Sequence, residues 1–196
     1  MKFSEVFTSK DSIQLDKRTL VILRWIAIIG QYLSISIIFL VIGFELPFFY
    51  CSSIILLGII TNVYLQFVEK DNQLSNIKSS LYLLYDLIQL SLLLFFTGGV
   101  TNPFIILLII PAITSSTFLS LKSTVNLSII TIIILIVLTI NHFPLPHFNE
   151  LHFHVPNYYL YAIPIAIIIG LVFLTYFGTR FGAESRKRTE ALNKLE

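Results

Sequence analysis

A chain of 196 residues that is 56% hydrophobic and 12% charged carries half the roughly 25% charge of an average soluble domain. A water-soluble globule of this size has a large surface to cover with polar groups, so this composition excludes one and points to lipid as the solvent. One cysteine, Cys51, excludes an internal disulfide and a cysteine metal cluster, and a net charge of +2 carries no sign of a nucleic-acid partner.

Residues 1–18 are interrupted throughout by acidic, basic and hydroxyl side chains. They read as a cytoplasmic arm, not a cleavable signal peptide, so the first span itself directs insertion. Six apolar runs follow, at residues 20–42, 46–68, 79–97, 103–121, 124–140 and 158–178, each long enough for ~30 Å of hydrocarbon. The separators between the first five are short and polar or turn-rich, which makes successive spans antiparallel neighbours. The predicted fold is an all-α membrane protein, with a six-helix bundle over 19–179 and the start of a cytoplasmic signalling helix over 180–196.

The thirteen lysines and arginines test that count. Lys2, Lys10, Lys17, Arg18 and Arg24 precede or open the first span, Lys70 and Lys78 lie in the second loop, and Lys122 in the fourth. Arg180, Arg186, Lys187, Arg188 and Lys194 follow the last span. With six spans every one falls on the same side, which the positive-inside rule makes cytoplasmic. Both termini are then cytoplasmic in a multi-pass membrane protein. Arg24 beside Trp25 reads as a cation snorkelling next to an interfacial ring.

Asp86 is the one acidic residue deep inside a predicted span. With Tyr82 and Gln89 it forms a polar stripe at helical spacing, expected to face the bundle. It reads either as a hydrogen-bonded packing aspartate, with Asn62 or Tyr64 as partner, or as a proton-coupled relay.

The third and fourth spans are joined by Thr97-Gly98-Gly99-Val100-Thr101-Asn102-Pro103-Phe104. Gly98 and Gly99 suit a left-handed helix end, Asn102 an N-cap and Pro103 a first helical position. A helical hairpin needs little more. The same residues also suit a ligand site: the glycines admit a flat group, the Asn102 amide meets a carbonyl oxygen, free N–H groups open the next helix and Phe104 offers a stacking face. That reading requires room beside the turn.

The run Gly98-Gly99-Val100-Thr101-Asn102-Pro103-Phe104 resembles the GGxxNPF heptapeptide of the RegB/PrrB family of redox-sensing histidine kinases, with Gly98, Gly99, Asn102, Pro103 and Phe104 at all its fixed positions. The stretches around Tyr85-Asp86-Leu87 and from Arg18 to Trp25 resemble that family's third and first spans. The resemblance implies that ubiquinone or another membrane quinone binds at the heptapeptide, and that the state of the bound quinone controls a kinase. It also implies a homodimer and a response-regulator partner. The family's phosphoacceptor histidine, redox cysteine and ATP-binding domain have no counterpart here, so this chain alone is expected to catalyse nothing.

Pro111 in the fourth span and Pro164 in the sixth are each expected to kink a helix, with Thr114, Ser115 and Ser116 serving the carbonyls freed near Pro111. The fifth loop holds His142, His147, His152 and His154 with Glu150. It reads as a headgroup anchor, a metal site, a pH sensor, or a flap folded over the heptapeptide. Beyond the last span, Phe181, Ser185, Arg188, Leu192 and Leu195 make a weak heptad. Two rival readings remain: a small transporter using Asp86 and Gln89, and a metal protein using the fifth-loop histidines.

Overall fold

The computed structural model describes residues 15–144 and 156–193. Residues 1–14 of the expected N-terminal arm, Glu150, His147, His152, His154 and Leu195 therefore lie outside the described residues, whereas the last residues of the arm are not a free tail: Leu15 is buried in the core and Lys17 opens the first helix. No strand occurs among the described residues, whose one β-type contact pairs Asp16 with Gln73.

The helices are α1 (Lys17–Ser36), continued by a π turn over Ile37–Val41, then α2 (Phe48–Phe67) and α3 (Asn76–Phe96). A 3-10 turn over Gly99–Thr101 and a 3-10 helix over Pro103–Ile109 lead into α4 (Ile110–Phe118). Helices α5 (Leu121–Ile140) and α6 (Asn157–Asn193) complete the bundle. Among the described residues, five helical segments are long and apolar enough to cross a membrane: Lys17–Val41, Phe48–Phe67, Asn76–Phe96, Leu121–Ile140 and Tyr158–Ser185. Large apolar side chains such as Ile26, Leu40, Phe49, Phe67 and Ile140 point outward, an arrangement suited to lipid and not to water.

The fourth expected span departs from a plain helix. Pro103–Phe118 is short for a span, but its first half is wound as 3-10 helix. At about 2.0 Å per 3-10 residue and 1.5 Å per α residue, the composite rod is roughly 27 Å long, close to the hydrocarbon thickness. Pro111 lies in the first turn of α4, where a missing N–H costs little. It marks the change from 3-10 to α winding instead of kinking a helix. The nearby hydroxyls serve other groups: Ser116 and Thr117 donate to the Ile113 carbonyl at 2.7 and 3.2 Å, and Ser115 pairs with Thr124 at 3.1 Å. Pro164 lies inside α6, which continues through it.

One end of the bundle is knitted by polar contacts. The Lys17 ammonium donates to the Glu69 carbonyl at 2.7 Å, and Lys78 bridges Glu69 and Asp71 at 2.9 and 2.7 Å. The Asn76 side chain accepts from the Ser120 N–H at 2.8 Å and donates to Ser123 Oγ at 2.8 Å. The start of α1, the α2–α3 loop and the α4–α5 turn therefore meet. The opposite end carries Gly43, the Gly98–Asn102 hairpin and residues 141–144. The core between them is apolar, built on Leu87, Leu94, Leu108, Ala112, Leu135 and Leu171. Helix α6 lies along α4 and α5, and α1 lies along α2.

Hydrogen bonds from Lys78 hold the Glu69 and Asp71 carboxyls below their ordinary range. A depressed carboxylate stabilises the folded state above its unfolded pKa and loses that contribution as pH falls through its folded pKa. Thermal melts should therefore be flat above about pH 5 and decline below about pH 4. Lys78→Met should lessen that decline, and an unchanged pH profile in the variant would dissociate the loop from acid sensitivity.

Candidate functional site

The outer hairpin forms as its residue types require. Gly98 and Gly99 have φ of 110° and 54°, a region that L side chains rarely adopt. Thr101 and Asn102 N–H groups close the turn on the Gly98 and Gly99 carbonyls at 3.0 and 3.2 Å. Asn102 caps the 3-10 helix: its Oδ1 accepts from the Phe104 N–H at 2.9 Å. Its Nδ2 donates to the Thr97 carbonyl at 3.0 Å and to Thr97 Oγ1 at 2.7 Å. The Asn102 side chain, expected to meet a ligand, is thus buried and spent on the hairpin itself. The Phe104 N–H, expected to be free, is capped.

The space expected beside the glycines is also taken. The His142 ring lies directly against Gly99, where even a Cβ would collide with it. Its Nδ1 is 2.7 Å from the Leu138 carbonyl, so Nδ1 carries the proton and Nε2 of the neutral ring is an acceptor. The Phe143 N–H donates to the Phe95 carbonyl at 2.9 Å. The Phe143 ring lies 5.5 Å from Phe95 and 5.3 Å from Phe96, on which Tyr50 stacks at 5.5 Å. The beginning of the fifth loop therefore folds over the hairpin, one of the arrangements the sequence left open. Pro103 and Phe104 stay exposed at its lip. The hairpin thus has aromatic rings beside it and no open slot at Gly99.

Inside the membrane the structure corrects the reading of Arg24. Its side chain is 3% exposed and does not snorkel. Nε is 2.8 Å from Asp86 Oδ1, and one terminal nitrogen donates to Thr61 Oγ1 at 2.8 Å. The guanidinium carbon lies 5.5 and 5.4 Å from the Tyr82 and Tyr85 ring centroids. Asp86 is thus paired with Arg24, not with Asn62 or Tyr64. Arg24 shares the buried face of α1 with Leu20, Val21 and Ile28, and a cation held in the bundle neutralises a carboxylate at the same depth. Asn62 donates to the Val21 carbonyl at 3.3 Å, and Gln89 to Gln31 Oε1 at 3.3 Å. Sequence reasoning counted Arg24 with the flanking charges and so missed the pairing; the signal available was a second ionisable group within a span.

A third feature links α4 to the last helix. A Cβ on Gly178 would collide with the Ser116 hydroxyl, and one on Gly182 would lie 2.6 Å from the Thr117 backbone oxygen. Helix α6 is thus seated against the end of α4 through two small residues one turn apart, a packing that membrane helices favour. Among the described residues no cluster of three histidine, cysteine or acidic side chains is placed to hold a metal.

No protein-family model and no solved structure matches this chain. A sensor histidine kinase RegB of Cereibacter sphaeroides is 36% identical over 176 residues, covering 89% of this chain and 38% of that protein. A second RegB, from a strain of the same species, is 37% identical over 75 residues, covering 38% of this chain and 16% of that protein. The chain spans well under half the length of these relatives, and the longer match lies in the relative's N-terminal region. By that similarity and its apolar helices, the chain belongs to the RegB family and corresponds to its membrane sensor domain.

Proposed function

We propose that this domain reads the redox state of a membrane quinone at the outer hairpin and passes it through α6 to a histidine kinase region with a response-regulator partner. The observation that carries the reading is mechanical. The 3-10 segment opens at the hairpin, runs into α4, and α4 is clasped by α6 at Gly178 and Gly182. Hydrogen bonding in a 3-10 helix is poorer than in an α-helix, so a long 3-10 stretch suits a hinge. Helix α6 is about 55 Å long at 1.5 Å per residue, well beyond one bilayer crossing.

At the site, exposed Phe104 and Pro103 offer the headgroup a face at the hairpin lip. Gly98, Gly99 and Asn102 set the shape of the turn. A quinone only accepts hydrogen bonds, whereas a quinol also donates, and the His142 Nε2 acceptor suits the quinol. Only such a difference in affinity between two arrangements drives a switch.

Six crossings with both termini in the cytoplasm of an inner membrane fit this scheme. Lys17, Arg18, Lys70, Lys78 and Lys122 cluster at one end of the bundle, and the composite rod approaches the span length. The exposed aromatic residues Phe173, Tyr176, Phe177 and Phe181 of α6 suit a homodimer.

The reading is tested by titrating a short-chain quinone against the purified domain and two variants. Phe104→Ala should bind about tenfold more weakly with unchanged thermal stability, because Phe104 is exposed. Asn102→Ala should lose about 1–2 kcal/mol of stability and bind more weakly through the altered turn. Equal binding by all three forms rejects this site.

A further inference from the structure

The Arg24–Asp86 pair lies beneath a groove that the hairpin mechanism does not use. The groove, of about 260 Å³, lies between α2 and α3 and is lined by Thr61, Glu69, Lys78, Leu81, Tyr82 and Tyr85. Its walls are mostly apolar, and a few polar groups converge on it, which is the usual make-up of a small-ligand site. Thr61 and both tyrosines form the layer that covers the Arg24 guanidinium. Beneath them Arg24, at 3% exposure, keeps one terminal nitrogen with no hydrogen-bond partner among the described residues. A buried donor of this kind is costly to leave unmet. The partner carboxylate, Asp86, is still 23% exposed.

We infer that this groove is a second binding site, and that it takes a neutral ring bearing carbonyl oxygens on an apolar tail. Charge selects the class. Lys78, the one cation in the groove's lining, is matched by both Glu69 and Asp71, and Arg24 beneath the groove by Asp86, so no cation is left over for a phosphate. Acceptor oxygens fit the tyrosine hydroxyls and, once Tyr82 and Tyr85 part, the spare Arg24 donor beneath them; a flat ring fits against the tyrosine faces, and the tail leaves between α2 and α3 into lipid. Those are the properties of a membrane quinone headgroup. The site is separate from the hairpin: Asp86 and Gly98 are roughly 18 Å apart along α3.

Trp25, the one tryptophan of the chain, follows Arg24 on α1 and donates to Gln66 at 3.2 Å, so its fluorescence reports this end of the bundle. Decylubiquinone is titrated against the domain in phosphatidylcholine nanodiscs while Trp25 quenching is followed. The expected result is a saturable component. It should weaken about tenfold in the Tyr82→Phe/Tyr85→Phe variant and at least tenfold in the Arg24→Leu/Asp86→Leu variant, and be unchanged in Phe104→Ala. Purely linear quenching overturns the proposal, as does saturable quenching that both groove variants retain. Should the leucine pair fail to fold, the tyrosine pair decides. Loss of the component in Phe104→Ala would assign the signal to the hairpin and also overturn it. Nanodiscs of anionic phosphatidylglycerol should leave the affinity unchanged; a strong loss there would make a lipid phosphate the occupant and reject the neutral ring.

Discussion

Arg24→Leu should destabilise the domain by about 3 kcal/mol, the low end of the range for removing one partner of a buried ion pair. The low end applies because Asp86 is 23% exposed and keeps some access to other partners. The loss has little to do with the strength of the pair itself. Leucine fills much of the volume, but it strands a carboxylate in the middle of a span, and it also removes the donor to Thr61 and the cation over Tyr82 and Tyr85. Asp86→Leu in the same chain removes the stranded charge, and replacing a buried pair by apolar side chains is often neutral. The double variant should therefore recover most of the loss. Reversible unfolding in mixed micelles measures both. Equal losses in the single and double variants would show that the two groups act separately.

Gly182→Ala should be more damaging than Gly178→Ala, although the two glycines lie one turn apart on the same face of α6. The obstacle at Gly182 is the Thr117 backbone oxygen, 2.6 Å from the new Cβ, and a carbonyl at the end of α4 moves only with its helix. The obstacle at Gly178 is the Ser116 hydroxyl, which turns aside at the cost of its bond to the Ile113 carbonyl. Overpacking costs about 1–3 kcal/mol, offset by up to about 1 kcal/mol from the better helix propensity of alanine. A net loss of about 1–2 kcal/mol follows for Gly182→Ala and close to none for Gly178→Ala. Because α6 is the proposed output, Gly182→Ala should also blunt any quinone response in a chain carrying the kinase region, while leaving quinone binding at the hairpin intact. Identical melting curves for the two variants would show that α6 does not depend on that contact.

The apolar runs and the placement of the basic residues were legible in the sequence because a bilayer imposes length and charge asymmetry directly on the chain. The turn chemistry was legible too: Gly98 and Gly99 take the positive-φ positions that a missing Cβ allows, and Asn102 and Pro103 the cap and first helical positions they favour. The 3-10 winding of Pro103–Ile109 was not, since its residues Phe, Ile and Leu carry no local signal against an α-helix; what holds it is packing of Ile105 and Leu108 in the core. Nor did local pattern reveal that Arg24 turns inward, that His142 covers Gly99, or that Gly178 and Gly182 seat α6. Each depends on which helix lies opposite, and periodicity gives the buried face without naming the neighbour. The Asn102 amide shows the consequence most clearly. Its residue type served ligand contact and capping equally well, and only the positions of Thr97 and Phe104 reveal that the cap takes all of it.

Quinone sensing by this domain requires that the hairpin lip meet the quinone. Photolabelling the intact domain in nanodiscs with an azido-quinone, then mapping the adducts by mass spectrometry, tests it most directly. Label is expected on the peptide containing Pro103 and Phe104, removed by excess unlabelled quinone and absent in Phe104→Ala. Label that never reaches that peptide, or that excess quinone fails to displace, would contradict it.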